Sequence, residues 1–158
     1  MDIPDSGVVA ISELAGGSEG VGLALDVEWV EVMVLEDDPA QQRLYRELAQ
    51  TWGLPVRLTM VSGGYAAMDA LTLQTPDVMI SDLRMAGIDG FDVIRSLGNA
   101  VRKQVCPPVI VVTGMDVEMV RRRRGMPADI PVLRKPVAPA ELERQVKLAL
   151  AGREAKHV

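Results

Sequence analysis

The sequence predicts an α/β fold with a central five-stranded parallel sheet covered by helices on both faces. Five short apolar segments suited to buried strands alternate along the chain with segments of helical periodicity. Acidic residues, a threonine or a lysine directly follow four of these strand segments. A length of 158 residues suits one such domain with one core.

The first strand and helix have clear boundaries in the sequence. Residues 30–35 form an apolar run rich in β-branched side chains, which predicts a buried strand. Asp38 is the predicted N-cap of the following helix, with Pro39 at its first position, and Gly53 ends it. Apolar residues recur at fourfold spacing along this helix: Leu44, Leu48 and Trp52.

The next two strands lead to the first candidate site residue. Residues 56–61 predict the second strand, and the alanine-rich segment 66–71 predicts a second helix. Pro76 breaks the chain before the third strand, residues 77–81, which leads directly into Asp82. A glycine-containing loop then precedes a third helix.

The remaining elements follow the same alternation. The third helix is predicted near residues 89–101, and the fourth strand covers residues 109–112 and ends at Thr113. A weaker helix is predicted over 116–124, stopping at Gly125.

The chain closes with one more strand and helix. The fifth strand is predicted at 132–134, directly before Lys135-Pro136, and the last helix at about 139–150. We therefore expect a core domain of residues 29–151, preceded by an extension of residues 1–28 and followed by a tail of residues 152–158.

The N-terminal part of the chain is acidic and contains a glycine-rich stretch. Residues 1–42 carry ten acidic side chains and no Lys or Arg, although the whole chain has 17 bases and 22 acids. This segment could dock on a basic face, but a solvated acidic leader is the interpretation we favour.

Composition excludes several classes of function. Cys106 is the only cysteine, so an internal disulfide is impossible, and His157 is the only histidine, which argues against Ser-His-Asp catalysis and histidine-rich metal sites. The N-terminus lacks the basic segment of a secretory signal, and no apolar run approaches the roughly 18 residues of a membrane span. Few aromatic residues and a net charge of −5 argue against nucleic-acid binding. We therefore expect a cytoplasmic protein.

The residues that follow the strands predict phosphate and metal chemistry. In a parallel sheet, the carboxyl ends of the strands meet at one edge, where ligands bind. Glu36-Asp37, Asp82, Thr113 and Lys135 are all expected there. Carboxylates without nearby His or Cys favour Mg²⁺ or Mn²⁺ over Zn²⁺, and a carboxylate such as that of Asp82 can accept a phosphoryl group.

Four segments of the chain resemble receiver domains of two-component response regulators. The matching segments are VMVLEDDP (32–39), DVMISDLRMAGIDGFDVI (77–94), VIVVTG (109–114) and VLRKP (132–136). The resemblance covers about residues 30–150. It implies a flavodoxin-like doubly wound fold with strand order 2-1-3-4-5.

The resemblance implies a role for each residue that would contact the phosphoryl group. Asp82 would accept it from the phosphohistidine of a histidine kinase, Thr113 would hydrogen-bond it, and Lys135 would form an ion pair with it. The backbone N–H groups of Leu83 and Gly114 would contact its oxygens.

The resemblance also implies the ligands of the metal. Asp37 and Asp82 would bind Mg²⁺ (or Mn²⁺), with Glu36 assisting through water and the backbone carbonyl of Arg84 supplying a further oxygen. Asp38 would be the helix cap and not a ligand.

Three features test how closely the chain follows the family. Lys135-Pro136 resembles the family's cis peptide bond. Val132 stands where family members often have an aromatic residue that moves with the threonine, and Ala86 stands where they commonly have proline.

The arginine run 121–124 could dock an acidic partner, but a solvated helix face is the interpretation we favour.

Three functions follow from these observations. The leading one is a signalling switch that is not an enzyme beyond its own phosphorylation and dephosphorylation, loaded by a sensor histidine kinase or a phosphotransfer protein. It would act on a downstream protein through its last two helices, with a homodimer possible.

The second function is a receiver-like scaffold or dimerisation module that uses no phosphate, which Val132 favours. The third is an aspartyl-nucleophile phosphatase, which Arg84 disfavours because such enzymes usually have a second Asp there. Only eight residues follow Leu150, so a stand-alone receiver and a fragment of a longer protein both stay open.

Overall fold

The computed structural model describes residues 27–84, 90–100, 107–123 and 126–156. Strands and helices alternate along them in the predicted order. The strands are β1 (Val30–Leu35), β2 (Val56–Val61), β3 (Val78–Ser81), β4 (Val109–Thr113) and β5 (Val132–Arg134). The helices are α1 (Pro39–Gln50), α2 (Gly64–Leu73), α3 (Gly90–Ala100), α4 (Val117–Arg122) and α5 (Pro139–Lys156).

The five strands form one parallel sheet in the order β2-β1-β3-β4-β5, which confirms the order implied by the resemblance. The register aligns the strand ends, because Leu35 lies opposite both Val61 and Ser81, and Thr113 lies opposite Arg134. The residues that follow β1, β3, β4 and β5 therefore emerge at the same edge of the sheet.

Alternation along the strands divides the core between the two faces of the sheet. Val32 and Val34 contribute to the apolar cluster beneath α1 and α5, whereas Met33 and Leu35 contribute to the cluster beneath α2, α3 and α4. Successive side chains of a strand point to opposite faces, so one apolar run supplies both clusters. This arrangement confirms the doubly wound α/β fold.

Helix ends differ from the predictions more than strand ends do. Helix α5 continues past the predicted end at Leu150 to Lys156 and includes Gly152. Helix α4 ends at Arg122, two residues before Arg124. The predicted stop at Gly125 lies outside the described residues.

The inward face of α1 was predicted only in part. Leu48 and Trp52 are buried, but Leu44 is 39% exposed, and Tyr45 takes the inward position instead. A repeat of 3.6 residues per turn allows either neighbour to face the core, and the larger ring of Tyr45 occupies it. Gly53 follows with a φ of +65°, the left-handed conformation that glycine adopts most easily.

Several predictions fall on parts of the chain that are not described. They concern most of the 1–28 extension (residues 1–26), the loop at 85–89 that contains Ala86, and the end of the 152–158 tail. Within the described ranges, no helix combines the length and the hydropathy needed to cross a membrane.

Candidate functional site

Backbone hydrogen bonds connect the four strand ends in two pairs at the predicted edge of the sheet. The Asp82 N–H donates to the Leu35 carbonyl at 2.9 Å, which joins the end of β3 to that of β1. The Lys135 N–H donates to the Thr113 carbonyl at 2.8 Å, which joins β5 to β4. These bonds position the predicted site residues on a rigid frame instead of on free loops.

The Lys135 ammonium group contacts two carboxylates at the centre of this edge. Its Nζ lies 3.0 Å from Oε2 of Glu36 and 3.1 Å from Oδ2 of Asp82. Glu36 and Asp82 are only 1% and 7% exposed. Two buried carboxylates repel each other unless a cation neutralises them, and the ammonium group supplies that charge.

The electrostatics of the site follow from this burial. Burial raises the pKa of Glu36, although its hydrogen bonds to Lys135 and to the Asp38 N–H oppose the shift. Burial alone would lower the pKa of Lys135, but its hydrogen bonds to Glu36 and Asp82 outweigh that effect and raise it. The lysine is thereby held in its charged form. Burial, with the charges of Glu36 and Asp82, also raises the pKa of the Tyr45 hydroxyl.

Asp82 is held by close packing against the start of α3. Its Oδ1 accepts a hydrogen bond from the Arg84 N–H at 3.2 Å, and its backbone carbonyl accepts one from the Ser81 hydroxyl at 3.0 Å. Gly90 packs so closely that a Cβ there would lie 2.2 Å from the Asp82 carbonyl oxygen. Only glycine permits this approach. In the sequence, Gly90 is marked only by its place at the start of the amphipathic α3, within the matching segment 77–94.

Thr113 is completely buried at the end of β4. Its hydroxyl oxygen accepts a hydrogen bond from the Met115 N–H at 3.1 Å, which leaves the hydroxyl hydrogen available as a donor. Among the described residues, the backbone N–H groups of Leu83 and Gly114 have no hydrogen-bond acceptor. Within the described residues, the site therefore combines the Asp82 carboxylate, the Lys135 ammonium group and hydrogen-bond donors that have no acceptor.

The three acidic residues after β1 have different surroundings. Glu36 is buried, Asp37 is exposed, and Asp38 caps α1 by accepting a hydrogen bond from the Ala40 N–H at 2.9 Å. The capping prediction for Asp38 is confirmed. In the part of the chain that the structure describes, no three acidic, His or Cys side chains form a metal-binding group, so Glu36, Asp37 and Asp82 do not converge as three ligands.

The donor set still fits a magnesium ion whose coordination is completed from outside the protein. Mg²⁺ keeps several waters and usually takes only one or two carboxylates together with phosphate oxygens. Asp37 and Asp82 follow β1 and β3 at the same edge of the sheet, and both carry carboxylate oxygens, which are ligands that Mg²⁺ prefers. The metal roles of Asp37, Glu36, Asp82 and the Arg84 carbonyl stay predictions.

Two arginines of the 121–124 run, Arg121 on α4 and Arg123 directly after it, make contacts within the domain. The Arg123 guanidinium lies 3.9 Å from the centroid of the Phe91 ring, and Arg121 donates to the Ala128 carbonyl at 3.3 Å. Both side chains therefore help to hold α4 and its following loop in place. Arg121, Arg122 and Arg123 are exposed, as a solvated helix face requires, but Arg121 and Arg123 also have partners within the domain.

Lys135-Pro136 has the cis conformation that the resemblance implied. Val132 is half-buried and packs, together with Met115, against the core cluster beneath α2, α3 and α4.

Comparison with known proteins relates the chain to response regulators. Residues 32–147 match the family model of the response regulator receiver domain. The chain is 34% identical over 82 residues (52% of its length) to the DNA-binding transcriptional regulator NtrC of Klebsiella pneumoniae, but covers only 17% of that regulator. It is 33% identical over 131 residues to the C4-dicarboxylate transport regulator DctD of Pseudomonas aeruginosa, covering 78% of the chain and 26% of DctD.

Solved structures share the fold. A signal receiver domain of a histidine kinase from Syntrophus aciditrophicus superposes with a TM-score of 0.66 at 28% identity, covering 77% of this chain and 90% of that one. The receiver domain of the sensor histidine kinase PA1611 from Pseudomonas aeruginosa PAO1, described with a magnesium ion in its active-site cleft, superposes with a TM-score of 0.66 at 24% identity, covering 78% and 99%.

Proposed function

Because this chain belongs to the response regulator receiver domain family, we propose that it is a phosphorylation switch with Asp82 as the phosphoacceptor. The observation that carries the proposal is the 3.1 Å ion pair between Lys135 and Asp82, with Glu36 on the same ammonium group. A lysine held beside a buried carboxylate at the carboxyl edge of the sheet suits the transfer of an anionic group onto that carboxylate.

In the proposed reaction, a carboxylate oxygen of Asp82 attacks the phosphorus atom of a phosphohistidine on the partner protein. The new O–P bond forms as the P–N bond breaks, and the imidazole nitrogen leaves with the bonding electrons. Lys135 neutralises charge on the phosphoryl oxygens, and the Thr113 hydroxyl and the N–H groups of Leu83 and Gly114 donate hydrogen bonds to them.

A magnesium ion at this edge, when bound, would neutralise the charge that the phosphoryl group brings. Asp37 and Asp82 would bind it directly, Glu36 would act through water, and the Arg84 carbonyl would complete the protein ligands. The protein's own contribution is to place these residues directly after β1 and β3, at one edge of the sheet, before the phosphoryl group arrives.

Phosphorylation would then change which groups Lys135 contacts. The ammonium group now shared by Glu36 and Asp82 would pair with the phosphoryl oxygens, and Thr113 would shift toward them. The adjoining α4 and α5 would present an altered surface to a downstream protein or to a second copy of the domain. We propose a sensor histidine kinase or phosphotransfer protein as donor, and the cytoplasm as location.

Phosphorylation by a small donor tests the proposal directly. Incubation with acetyl phosphate and Mg²⁺ should add the mass of one phosphoryl group to the intact protein. Asp82→Asn should abolish the gain, because the amide oxygen is a poor nucleophile, and EDTA should abolish it in the wild type. A gain that persists in Asp82→Asn would overturn the assignment of the acceptor.

A receiver-like scaffold that uses no phosphate is the second candidate. Val132 favours it, because a half-buried valine against the core cannot swing inward as an aromatic side chain at that position would. Absence of phosphoryl uptake from acetyl phosphate and from several phosphohistidine donors would favour this function over the switch.

A further inference from the structure

We propose that Gln42 is a positioning residue that orients Asp37 for magnesium binding. The inference rests on the metal requirement of the proposed function. It concerns a side chain of α1 that the sequence pattern did not mark, and whose contacts lie at the edge of the sheet that carries Asp82.

The Gln42 side chain connects the loops that follow two neighbouring strands. Its Nε2 donates to the Glu36 carbonyl oxygen at 2.6 Å and to the Ser62 hydroxyl oxygen at 3.1 Å. Glu36 follows β1 and Ser62 follows β2, so one amide group links the two loops. Both acceptors are oxygens, and a carbonyl oxygen can only accept, which assigns the nitrogen of the amide to this side.

The contact with the Glu36 carbonyl determines the orientation of the next residue. The carbonyl of Glu36 and the N–H of Asp37 belong to one planar peptide unit, so holding the oxygen holds the whole plane. The Glu36 N–H is already fixed by the Val61 carbonyl at 3.0 Å. The Gln42 amide therefore removes the remaining freedom of the peptide that leads into Asp37.

Asp37 depends on the hydrogen bond from Gln42 to the Glu36 carbonyl more than Glu36 and Asp38 do. Glu36 is held by its ion pair with Lys135, and Asp38 is held by its capping bond. The exposed Asp37 side chain has no hydrogen bond or ion pair within the described ranges, so its backbone is the part of Asp37 that the protein holds in place, and that backbone sets the direction of the Cα–Cβ bond. Groups that orient a metal ligand from behind typically influence affinity by about 10–100-fold.

The Mg²⁺ affinity of Gln42 variants distinguishes a positioning role of Gln42 from a merely structural role. In calorimetric titrations with MgCl₂ alone, Gln42→Met, which keeps the length but removes the donor, should weaken Mg²⁺ binding by roughly tenfold. Gln41→Met is the matched control, since the adjacent Gln41 side chain makes no hydrogen bond among the described residues. The Mg²⁺ affinity of the Gln41→Met variant should stay within about twofold of wild type. A purely structural role would lower the melting temperature and leave the Mg²⁺ affinity unchanged.

A second substitution at Gln42 keeps the test informative if Gln42→Met does not fold. Gln42→Glu keeps the shape but places an acceptor against the Glu36 carbonyl, and it should weaken Mg²⁺ binding at least as much as Gln42→Met. Unchanged affinity in a folded Gln42→Met variant, an equal loss in Gln41→Met, or unfolding of both Gln42 variants would overturn the proposal.

The titration is independent of phosphoryl transfer. If wild type binds Mg²⁺ but takes up no phosphoryl group, the switch function fails while the comparison of Gln42 with Gln41 still decides the inference. If wild type takes up a phosphoryl group and Gln42→Met binds Mg²⁺ normally, the inference alone fails. Wild type without Mg²⁺ binding would overturn the inference and the metal requirement together.

Discussion

Lys135 Nζ lies 3.1 Å from Oδ2 of Asp82, although the two residues are 53 positions apart in the chain. The same ammonium group lies 3.0 Å from Oε2 of Glu36. The Asp82 carboxylate, the proposed phosphoacceptor, is therefore paired with a cation. This arrangement stabilises two buried like charges, and in the proposed function it also positions the cation that an incoming phosphoryl group would require.

Lys135→Met should reduce both stability and phosphorylation. Loss of the ammonium group leaves Glu36 and Asp82 as adjacent unpaired carboxylates, which should lower the free energy of unfolding by about 1–3 kcal/mol, less than for a fully buried pair because Lys135 retains some exposure. The rate of phosphoryl uptake from acetyl phosphate should fall by about 100-fold. Urea denaturation in EDTA and intact-protein mass spectrometry measure the two effects.

A double-mutant cycle with Glu36→Gln isolates the electrostatic part of the stability that Lys135→Met loses. Adding Glu36→Gln to Lys135→Met should restore part of the lost stability, because a single carboxylate then remains. Equal stability losses for Lys135→Met with and without Glu36→Gln would mean that the ammonium group does not neutralise the pair.

Much of the fold was predictable from the sequence because its strands are short, apolar and sharply bounded. The bounds of β1, β2 and β5 agree with the prediction, since a charged residue or a proline adjoins one end of each apolar run: Glu36 after β1, Pro55 before β2 and Lys135-Pro136 after β5. The inward face of α1 was less predictable. Whether Leu44 or Tyr45 faces the core depends on the helix rotation that packing imposes, and periodicity alone leaves both open.

Gly90→Ala should destabilise the domain. The new Cβ would lie 2.2 Å from the Asp82 carbonyl oxygen and 2.9 Å from the Ser81 hydroxyl, so the start of α3 must move away from β3. A cost of about 2–3 kcal/mol is expected, together with slower phosphoryl uptake at Asp82. Thermal or urea unfolding measures the first effect and mass spectrometry the second.

Gly152→Ala is the control for this substitution. Gly152 lies within α5 with open space around its Cβ position, so alanine there should stabilise the protein by about 0.5–1 kcal/mol through its higher helix propensity. Equal effects of the two substitutions would contradict the close contact at Gly90.

Arg123→Ala should loosen α4. This helix has only six residues and one buried apolar side chain, Val120, so the guanidinium of Arg123 over the Phe91 ring is a substantial part of its attachment. Its loss should cost about 0.5–2 kcal/mol and speed hydrogen exchange in α4. Arg122→Ala is the matched control, because Arg122 has no ring or carboxylate partner within the described ranges, and it should change stability by less than about 0.5 kcal/mol.

The candidate site was predictable as a set of residues but not as a geometry. The sequence places Glu36, Asp82, Thr113 and Lys135 at the ends of four of the five strands, and a parallel sheet necessarily brings the carboxyl ends of its strands to one edge. It does not indicate that Glu36, the first acid after β1, is the one buried against Lys135. That outcome depends on how the chain turns into α1, which Asp38 and Gln42 determine through hydrogen bonds that have no pattern in the sequence.

Substitution of the two adjacent acids Asp37 and Asp38 should separate metal binding from helix capping. Asp38→Ala removes the hydrogen bond to the Ala40 N–H and should cost about 1 kcal/mol of unfolding free energy, with Mg²⁺ affinity changed by less than about threefold. Asp37→Ala should weaken Mg²⁺ binding by at least roughly tenfold, because it removes a proposed ligand. In EDTA its stability should stay within about 0.5 kcal/mol of wild type, since the side chain is exposed. Urea denaturation in EDTA and MgCl₂ titration of each variant measure the two properties separately. Loss of Mg²⁺ binding in Asp38→Ala but not in Asp37→Ala would exchange the two assignments, and loss in neither would remove Asp37 from the metal site.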